Sequence, residues 1–236
     1  MINAFDTIIL AGGTGSRLRD VVNDRPKCLA EINGRPFIYY LLDQLSDNGI
    51  DNVILSTGYR AEQIEQALGT TYQKMNLRYS REDHPLGTGG GLKKALGLTR
   101  HQHVVVMNGD SFLDFNYRDF LHWFDSARMR AGLAAVWQPN CNRFGELEID
   151  DQGLILAFRE KSPTPRAGWI NAGIYLLDRS LLENMPQETF SLERELFPHL
   201  IGDGFFARNY HGNFIDIGVP DSYRNAAEFF ARQVTE

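Results

Sequence analysis

An apolar run that stops in a cluster of glycines constrains this chain more than any other feature. Ile8, Ile9 and Leu10 read as the end of a buried strand over residues 6–10. The sequence Ala11-Gly12-Gly13-Thr14-Gly15 follows at once, three glycines in four positions. Glycine takes φ > 0 without steric cost, so such a stretch can turn its N–H groups outward. A turn of this kind after a strand cradles phosphate oxygens. Arg17, Arg19, Arg25 and Lys27 follow, although the whole chain carries a formal charge of −6. A cationic glycine loop on an acidic protein points to a local anion site.

Downstream, strand and helix patterns alternate. Residues 29–32 form a short apolar piece ending in Asn33-Gly34, a turn dipeptide. Pro36 suits the first turn of a helix that carries Ile38, Leu41, Leu42 and Leu45 on one face and stops at Asn48-Gly49. Strands are expected at residues 52–56, 77–80 and 103–107, and helices near 61–68 and from the glycine run at 87–91 to about Leu98. The last of these strands ends at Asn108-Gly109-Asp110. Continuous apolar strands alternating with helices imply a parallel sheet covered on both faces.

After a helix near 117–129 the pattern changes to strand-like segments at 133–138, 145–149, 154–159 and 170–177, with a tight turn at 150–153. Helices are expected around Leu181 and over 192–200, with Ser191 as N-cap and Glu193 and Glu195 in the first turn. Extended segments at 205–210 and 214–217 precede a final helix from Pro220 to about Gln233. The fold class is α/β: a Rossmann-like mixed, mainly parallel sheet flanked by helices. Residues 1–236 read as one domain, with a nucleotide half to about 130 followed by a mixed-sheet half from about 131.

Composition narrows the class of partner. A net charge of −6 argues against a nucleic-acid binder, which presents a broad basic face. No apolar run approaches the length of a membrane span, and the N-terminus lacks the pattern of a signal peptide. Cys28 and Cys141 fit neither a metal-ligand spacing nor a disulfide framework and read as free thiols. The expectation is a cytoplasmic protein with no membrane or nucleic-acid partner; the oligomeric state is open.

Two common phosphate motifs fail on single residues. No glycine continues as G-x-x-x-x-G-K-[ST]. A dinucleotide fingerprint starting at Gly13 and Gly15 needs a glycine where the chain has Leu18. The stretch Leu10-Ala-Gly-Gly-Thr-Gly-Ser-Arg-Leu18 with Pro26-Lys27 instead closely resembles the signature of the sugar-1-phosphate nucleotidylyltransferases. Further motifs of that family recur in order: Pro85-Leu-Gly-Thr-Gly89, Asn108-Gly-Asp110, Arg159-Glu-Lys161, Asn171-Ala-Gly173 and Phe214-Ile-Asp-Ile-Gly218.

The resemblance implies attack of a sugar 1-phosphate on the α-phosphorus of a nucleoside triphosphate, releasing pyrophosphate. The nucleophile is already an oxyanion, which agrees with the lack of a Ser/His/Asp or Cys/His arrangement. Such a reaction asks for positioning and charge neutralisation. By resemblance, Arg17 and Lys27 clamp phosphates, while Asp110 and Asp216 hold Mg²⁺, all four being catalytic. Leu10, Ala11, Gly12, Gly13, Thr14, Gly15, Ser16, Arg17, Glu82, Gly87, Thr88, Asn108 and Gly109 bind the nucleotide. Gly145, Glu160, Lys161, Asn171 and Gly173 bind the sugar phosphate. The family usually reads Glu-Lys-Pro, whereas Ser162 intervenes here before Pro163. Asp221 is better explained as a first-turn helix residue than as a metal ligand. His101 and His103 have no third ligand nearby, and Phe120, Trp123 and Phe124 read as core.

The base is read from Glu82. Thymine- and uracil-transferring relatives typically carry glutamine there, which both donates and accepts, whereas a carboxylate only accepts. Guanine presents two adjacent N–H donors, so Glu82 favours GTP, with Asp83 as the other candidate for the role. Within the family the sequence most resembles the D-glycero-α-D-manno-heptose 1-phosphate guanylyltransferases. The alternatives are mannose 1-phosphate guanylyltransferases, N-acetylmuramate 1-phosphate uridylyltransferases, or, in another class, a non-catalytic nucleotide-sugar-binding regulatory subunit.

Overall fold

The protein is described by a computed structural model covering residues 5–127, 129–159 and 166–233. β1 (Phe5–Ala11) leads through 3₁₀ turns at Ser16–Leu18 and Lys27–Leu29 into a tight hairpin, β2 (Glu31–Ile32) and β3 (Arg35–Pro36). Then come α1 (Ile38–Asp47), β4 (Asn52–Thr57), α2 (Ala61–Leu68), β5 (Thr71–Tyr72), β6 (Met75–Arg81), α3 (Gly87–Ala95) and β7 (His103–Asn108). The second half holds β8 (Ser111–Leu113), α4 (Tyr117–Ser126), β9 (Ala131–Gln138), β10 (Glu146–Ile149), β11 (Ile155–Arg159), β12 (Gly168–Asp178) and α5 (Arg179–Glu183). A π-helical turn at Leu192–Leu196 runs into α6 (Phe197–Leu200), followed by β13 (Phe205–Tyr210), β14 (Phe214–Asp216) and α7 (Pro220–Gln233).

One ten-stranded sheet passes through both halves in the order β11-β10-β12-β7-β1-β4-β6-β5, with β9 pairing β12 and β13 pairing β9. The four strands β6, β4, β1 and β7 are parallel to one another. β12 joins β7 antiparallel, matching Ile174 to Met107, and extends past the end of β7 to meet β10 and β9. Helices cover both faces, giving the expected Rossmann-like mixed sheet. Chain order reverses between β1 and β7, and a reversal of that kind opens a crevice at the carboxyl ends of the strands.

Burial follows the sequence pattern. Ile8 and Ile9 are both fully buried because helices lie on both sides of β1. α1 buries Ile38, Leu41, Leu42 and Leu45, the predicted stripe. Phe120 and Phe124 belong to the core, with Trp123 packed on them. Three local expectations are corrected. Pro36 lies in β3 rather than in a helix, because the Asn33-Gly34 turn folds residues 35–36 back onto 31–32 first. α4 ends at Ser126 rather than 129. The helix over 192–200 opens with a π turn; Ser191 caps it by accepting from the Arg194 N–H, as expected. Among the described residues no helix is long and apolar enough to cross a membrane.

At the opposite end of β1 from the crevice, Asp6 is 5% exposed. Its carboxylate accepts the backbone N–H groups of Arg100 and His101 at 2.7 Å each and meets His101 Nδ1 at 3.0 Å. His101 is thus an ordinary structural histidine. Replacing Asp6 by Ala leaves two buried N–H donors without a partner and is expected to cost about 3 kcal/mol. Denaturant unfolding reads this as a lower midpoint at unchanged slope; a loss under about 0.5 kcal/mol, the range of an ordinary surface change, contradicts the account.

Candidate active site

The crevice is built where β1 and β7 end. Gly109 N donates to Leu10 O at 2.9 Å. A β-carbon on Gly109 would lie 2.8 Å from that same oxygen, so only glycine permits the approach. The loop after β1 turns at Gly15, whose φ is +61°. It closes on Leu18, which is buried and fixes the 3₁₀ turn that carries Arg17. An open cleft results, lined by Leu10, Ala11, Gly13, Gly15, Ser16, Arg17, Lys27, Cys28, Gly109, Asp110 and Gly218. Thr14 faces a smaller hollow shared with Arg19 and Tyr59.

Asp110 and Asp216 meet although 106 positions separate them by number (216 − 110). Ile217 N donates to Asp110 O at 2.9 Å, and β14 pairs antiparallel with β8, setting Asp216 opposite Ser111. Lys27 donates to Asp110 Oδ2. Burial opposes ionisation of Asp110, but the Lys27 ammonium and, more weakly, the Ser111 hydroxyl and Arg17 outweigh it and hold the carboxyl below its usual range. Asp216 Oδ2 accepts Gly218 N at 2.9 Å, and its Oδ1 accepts Arg143 Nη2 at 2.5 Å. A β-carbon on Gly218 would press on Asp216 and stand 3.6 Å from Lys27 Nζ. Lys27, Asp110 and Gly218 therefore share one wall of the cleft, and Asp216 stands against Gly218 beside them.

Two carboxylates with no third His, Cys, Asp or Glu nearby, among the described residues, make a sparse donor set. Both donors are hard oxygens. That set fits an oxygen-preferring divalent ion which takes its remaining ligands from phosphates and water. Arg17 makes no ion pair among the described residues, and its exposed guanidinium is available to an anion. Arg25 is spent on Asp24 and Glu31, while Arg19 lies over the Tyr59 ring at 5.6 Å. Cys28 is a buried thiol pushed up to about 12 by burial.

The glycine run of residues 87–91 has a different use from the loop at 12–15. Phe190 N donates to Leu86 O, and Phe190 O accepts the N–H groups of Gly89 and Gly90 at 2.9 and 3.2 Å. The donors at the start of α3 are thus taken by the chain itself. Gly87, Gly89 and Gly90 each give space to residues 188–190; a β-carbon at Gly89 would fall on the Phe190 ring. The Thr88 hydroxyl donates to Glu193 and accepts Leu192 N, both at 2.9 Å. The structure brings neither Gly87 nor Thr88 to the cleft lining.

Glu82 sits behind the first glycine loop. Its Oε2 accepts Leu86 N at 2.9 Å, while Oε1 lies against Gly12 and Gly91, where a side chain at either position would collide with it. Burial raises its carboxyl above the usual value, only partly offset by the Leu86 N–H, Lys94, His84 and Ser56. Asp83 is spent on Lys94.

On the far side, Gly173 adopts φ +77° and packs on Asn108, where a β-carbon would lie 2.6 Å from Nδ2. Asn171 Oδ1 accepts Gly173 N at 2.8 Å, and its Nδ2 donates to the hydroxyl of fully buried Tyr175 at 3.0 Å. The β9–β12 register shifts between Asn171, paired with Ala135, and Tyr175, paired with Leu133, so Gly173 lies in the break against Asn108. Gly145 opens β10 beside Arg159. Glu160 and Lys161 lie outside the described residues. Sequence reasoning missed Arg143, Tyr175, Glu193 and Gly218 as site neighbours; only Gly218 carried a signal, as the last residue of Phe-Ile-Asp-Ile-Gly.

The model of the nucleotidyl transferase family matches residues 6–233. The chain is 38% identical to a D-glycero-alpha-D-manno-heptose 1-phosphate guanylyltransferase of Aneurinibacillus thermoaerophilus, covering 94% of this chain and 96% of that one. It is 35% identical to the protein of the same name from Campylobacter jejuni, covering 92% and 96%. Among solved structures it is similar to HddC from Yersinia pseudotuberculosis, with a TM-score of 0.87 and 34% identity over 96% of this chain and 99% of the other. HddC complexed with GMP-PN gives a TM-score of 0.86 at 33% identity, again over 96% of this chain and 99% of the other.

The packing of the second glycine run is directly testable. Gly89→Ala is expected to cost about 2 kcal/mol, the range of an overpacked core position. Gly97→Ala, with nothing within 4 Å of the added carbon, should change stability by less than about 0.5 kcal/mol. Equal midpoints for the two variants in denaturant would contradict the contact with Phe190.

Proposed function

The chain belongs to the nucleotidyl transferase family, and from this membership we propose that it transfers GMP from GTP to D-glycero-α-D-manno-heptose 1-phosphate, giving GDP-heptose and pyrophosphate. The observation that carries the reading is the convergence of Arg17, Lys27 and Asp110 on the cleft at the β1–β7 switch point, with Asp216 set next to them by Gly218 and β14. The relatives named above supply the base and the sugar.

In the reaction, an oxygen of the sugar 1-phosphate attacks the α-phosphorus of GTP, a new P–O bond forms, and the α–β bridging bond breaks. Its electron pair leaves with pyrophosphate. No proton has to be removed from the nucleophile, so the residues act by charge and position. The N–H groups of the loop from Gly12 to Ser16 face the triphosphate. Arg17 neutralises charge on the departing pyrophosphate, and Lys27 holds phosphate oxygens from the side of Asp110. Asp110 and Asp216 would hold Mg²⁺, which when bound offsets phosphate charge. Asp110 suits that role because its carboxyl is kept ionised across the neutral range.

Glu82 Oε1, whose partner oxygen is tied to Leu86 N, accepts from the N1–H and N2–H edge of guanine. Asn171 and Gly145 contact the sugar, and Glu160 and Lys161 are assigned to sugar hydroxyls and the 1-phosphate by their motif alone. One nucleotidyltransferase domain is the reading for both halves, since one sheet runs through them. The buried free thiols Cys28 and Cys141 suit the reducing cytosol in which nucleoside triphosphates are held.

Pyrophosphate release measured with Mg²⁺ across GTP, UTP, dTTP, CTP and ATP, crossed with heptose and mannose 1-phosphates, tests both specificities. GTP with the heptose is expected to give the highest kcat/KM. Preference for UTP or dTTP removes the Glu82 reading; preference for mannose 1-phosphate replaces the sugar and leaves the mechanism intact. Asp110→Asn and Asp216→Asn should each lower kcat about a thousandfold. Near-normal turnover at limiting Mg²⁺ contradicts the ligand assignment.

A pH profile isolates Glu82. Its carboxyl titrates above the usual value because of burial, so its charged form is lost sooner as pH falls. KM for GTP should therefore rise on acidification before an exposed glutamate would protonate. Glu82→Gln should flatten that rise and lower kcat/KM for GTP about tenfold or more at pH 8.

A further inference from the structure

One ion pair at the site has no part in the mechanism above. Arg143 belongs to the loop between β9 and β10, two residues before Gly145, and its Nη2 donates to Asp216 Oδ1 at 2.5 Å. Its guanidinium lies over the neighbouring Phe144 ring, 4.8 Å from the centroid. That ring meets Phe214 of β14 edge-on at 5.7 Å. Arg143 Nη1 also reaches Ser222 Oγ at 3.4 Å, so the side chain ties the loop that carries Gly145 to the strand that carries Asp216 and to the start of α7.

The two oxygens of Asp216 are held differently. Oδ2 accepts its own backbone two residues on, at Gly218 N, in a bond that fixes the turn after β14. Oδ1 is held by Arg143, whose side chain is 39% exposed against 16% for Asp216. Oδ1 is therefore the oxygen that another cation can reach without unfolding the turn. Lys27 stands in the corresponding relation to Asp110, but its side chain is only 12% exposed and it lines the cleft itself.

We propose that Arg143 and the divalent cation compete for Asp216 Oδ1, so that metal binding releases Arg143 and with it the loop bearing Gly145. This rests on the assignment of Asp216 as a metal ligand. A guanidinium and a divalent ion drawn to the same carboxylate oxygen repel each other, so each weakens the other's hold on it. Arg143 acts through Asp216 and so is a positioning residue. Its pairing weakens metal binding to the protein alone and couples the metal wall of the cleft to the sugar side.

The test is Mn²⁺ binding to the full chain without substrates, followed by electron paramagnetic resonance of the free ion. Arg143→Gln is expected to bind Mn²⁺ about fivefold more tightly than wild type, the range of a partly exposed ion pair. Arg143→Lys, which keeps the charge, should stay within about twofold of wild type. Asp216→Asn should lose affinity, and adding Arg143→Gln to it should restore none. Hydrogen exchange in residues 139–145 should rise when Mn²⁺ is added to wild type and be high from the start in Arg143→Gln. If Arg143→Gln binds Mn²⁺ no more tightly than wild type while Asp216→Asn loses affinity, the competition is refuted and the metal assignment stands. If Asp216→Asn binds Mn²⁺ as wild type does, the metal assignment falls and the competition with it.

Discussion

Everything at the site depends on the contact between the ends of β1 and β7, where Gly109 N meets Leu10 O at 2.9 Å. Two parallel strands that leave their glycine loops at this distance open a crevice instead of closing into a further ladder. The residue after Gly109 is then bound to face the crevice, and that residue is Asp110. Its backbone oxygen accepts Ile217 N, so the same point of the chain recruits β14 and brings Asp216 alongside it. One backbone approach thus fixes the phosphate loop, one acid and the partner of that acid.

Glycine serves two different ends in this chain. In the loop after β1, a β-carbon on Gly13 would meet nothing within 4 Å and Gly15 turns through φ +61°, so missing side chains there leave open space. In the run at 87–91 the missing side chains leave room for protein. Phe190 and Glu188 occupy the space over Gly87, Gly89 and Gly90, and the Glu82 carboxylate fills the space over Gly91. A carbonyl from residue 190 caps the N–H groups at the start of α3. The second run therefore welds the nucleotide half to the segment before α6, and this weld holds Glu82 behind the first loop. Two similar glycine clusters in one sequence carry opposite physical meanings, and only the neighbours across space distinguish them.

That difference marks what was legible in the sequence. β1, β4 and β7 could be read from continuous apolar runs, and α1 from its stripe, because both signals are local and burial enforces them. Asp110 was legible as a residue at a strand end. The meeting of Asp110 with Asp216 was not derivable from periodicity: β8 and β14 are three residues each, too short to show alternation, and they pair across a hundred positions. The family motif supplied that pair in advance. Arg143 escaped both routes, since a lone arginine in a polar loop reads as solvated surface until the fold sets it against a carboxylate. Pro36 misled because proline suits a helix start and a hairpin strand equally, and the Asn33-Gly34 turn decided between them.

The balance of charge follows from the same geometry. Asp110 and Asp216 stand on one wall with Lys27 and Arg143 on them, and Arg17 faces them from the loop. Three cations against two anions leave the wall about one charge positive, on a protein that is −6 overall. Such a site attracts a polyphosphate locally while the rest of the surface repels polyanions such as nucleic acid. The Lys27 ammonium also keeps Asp110 ionised against the opposing effect of burial. Asp110, half-buried and so paired, stays charged rather than neutralised by a proton. The pairing of lysine and arginine with these acids is therefore what lets the cleft remain open, charged and stable in a protein that must receive several negative groups at once.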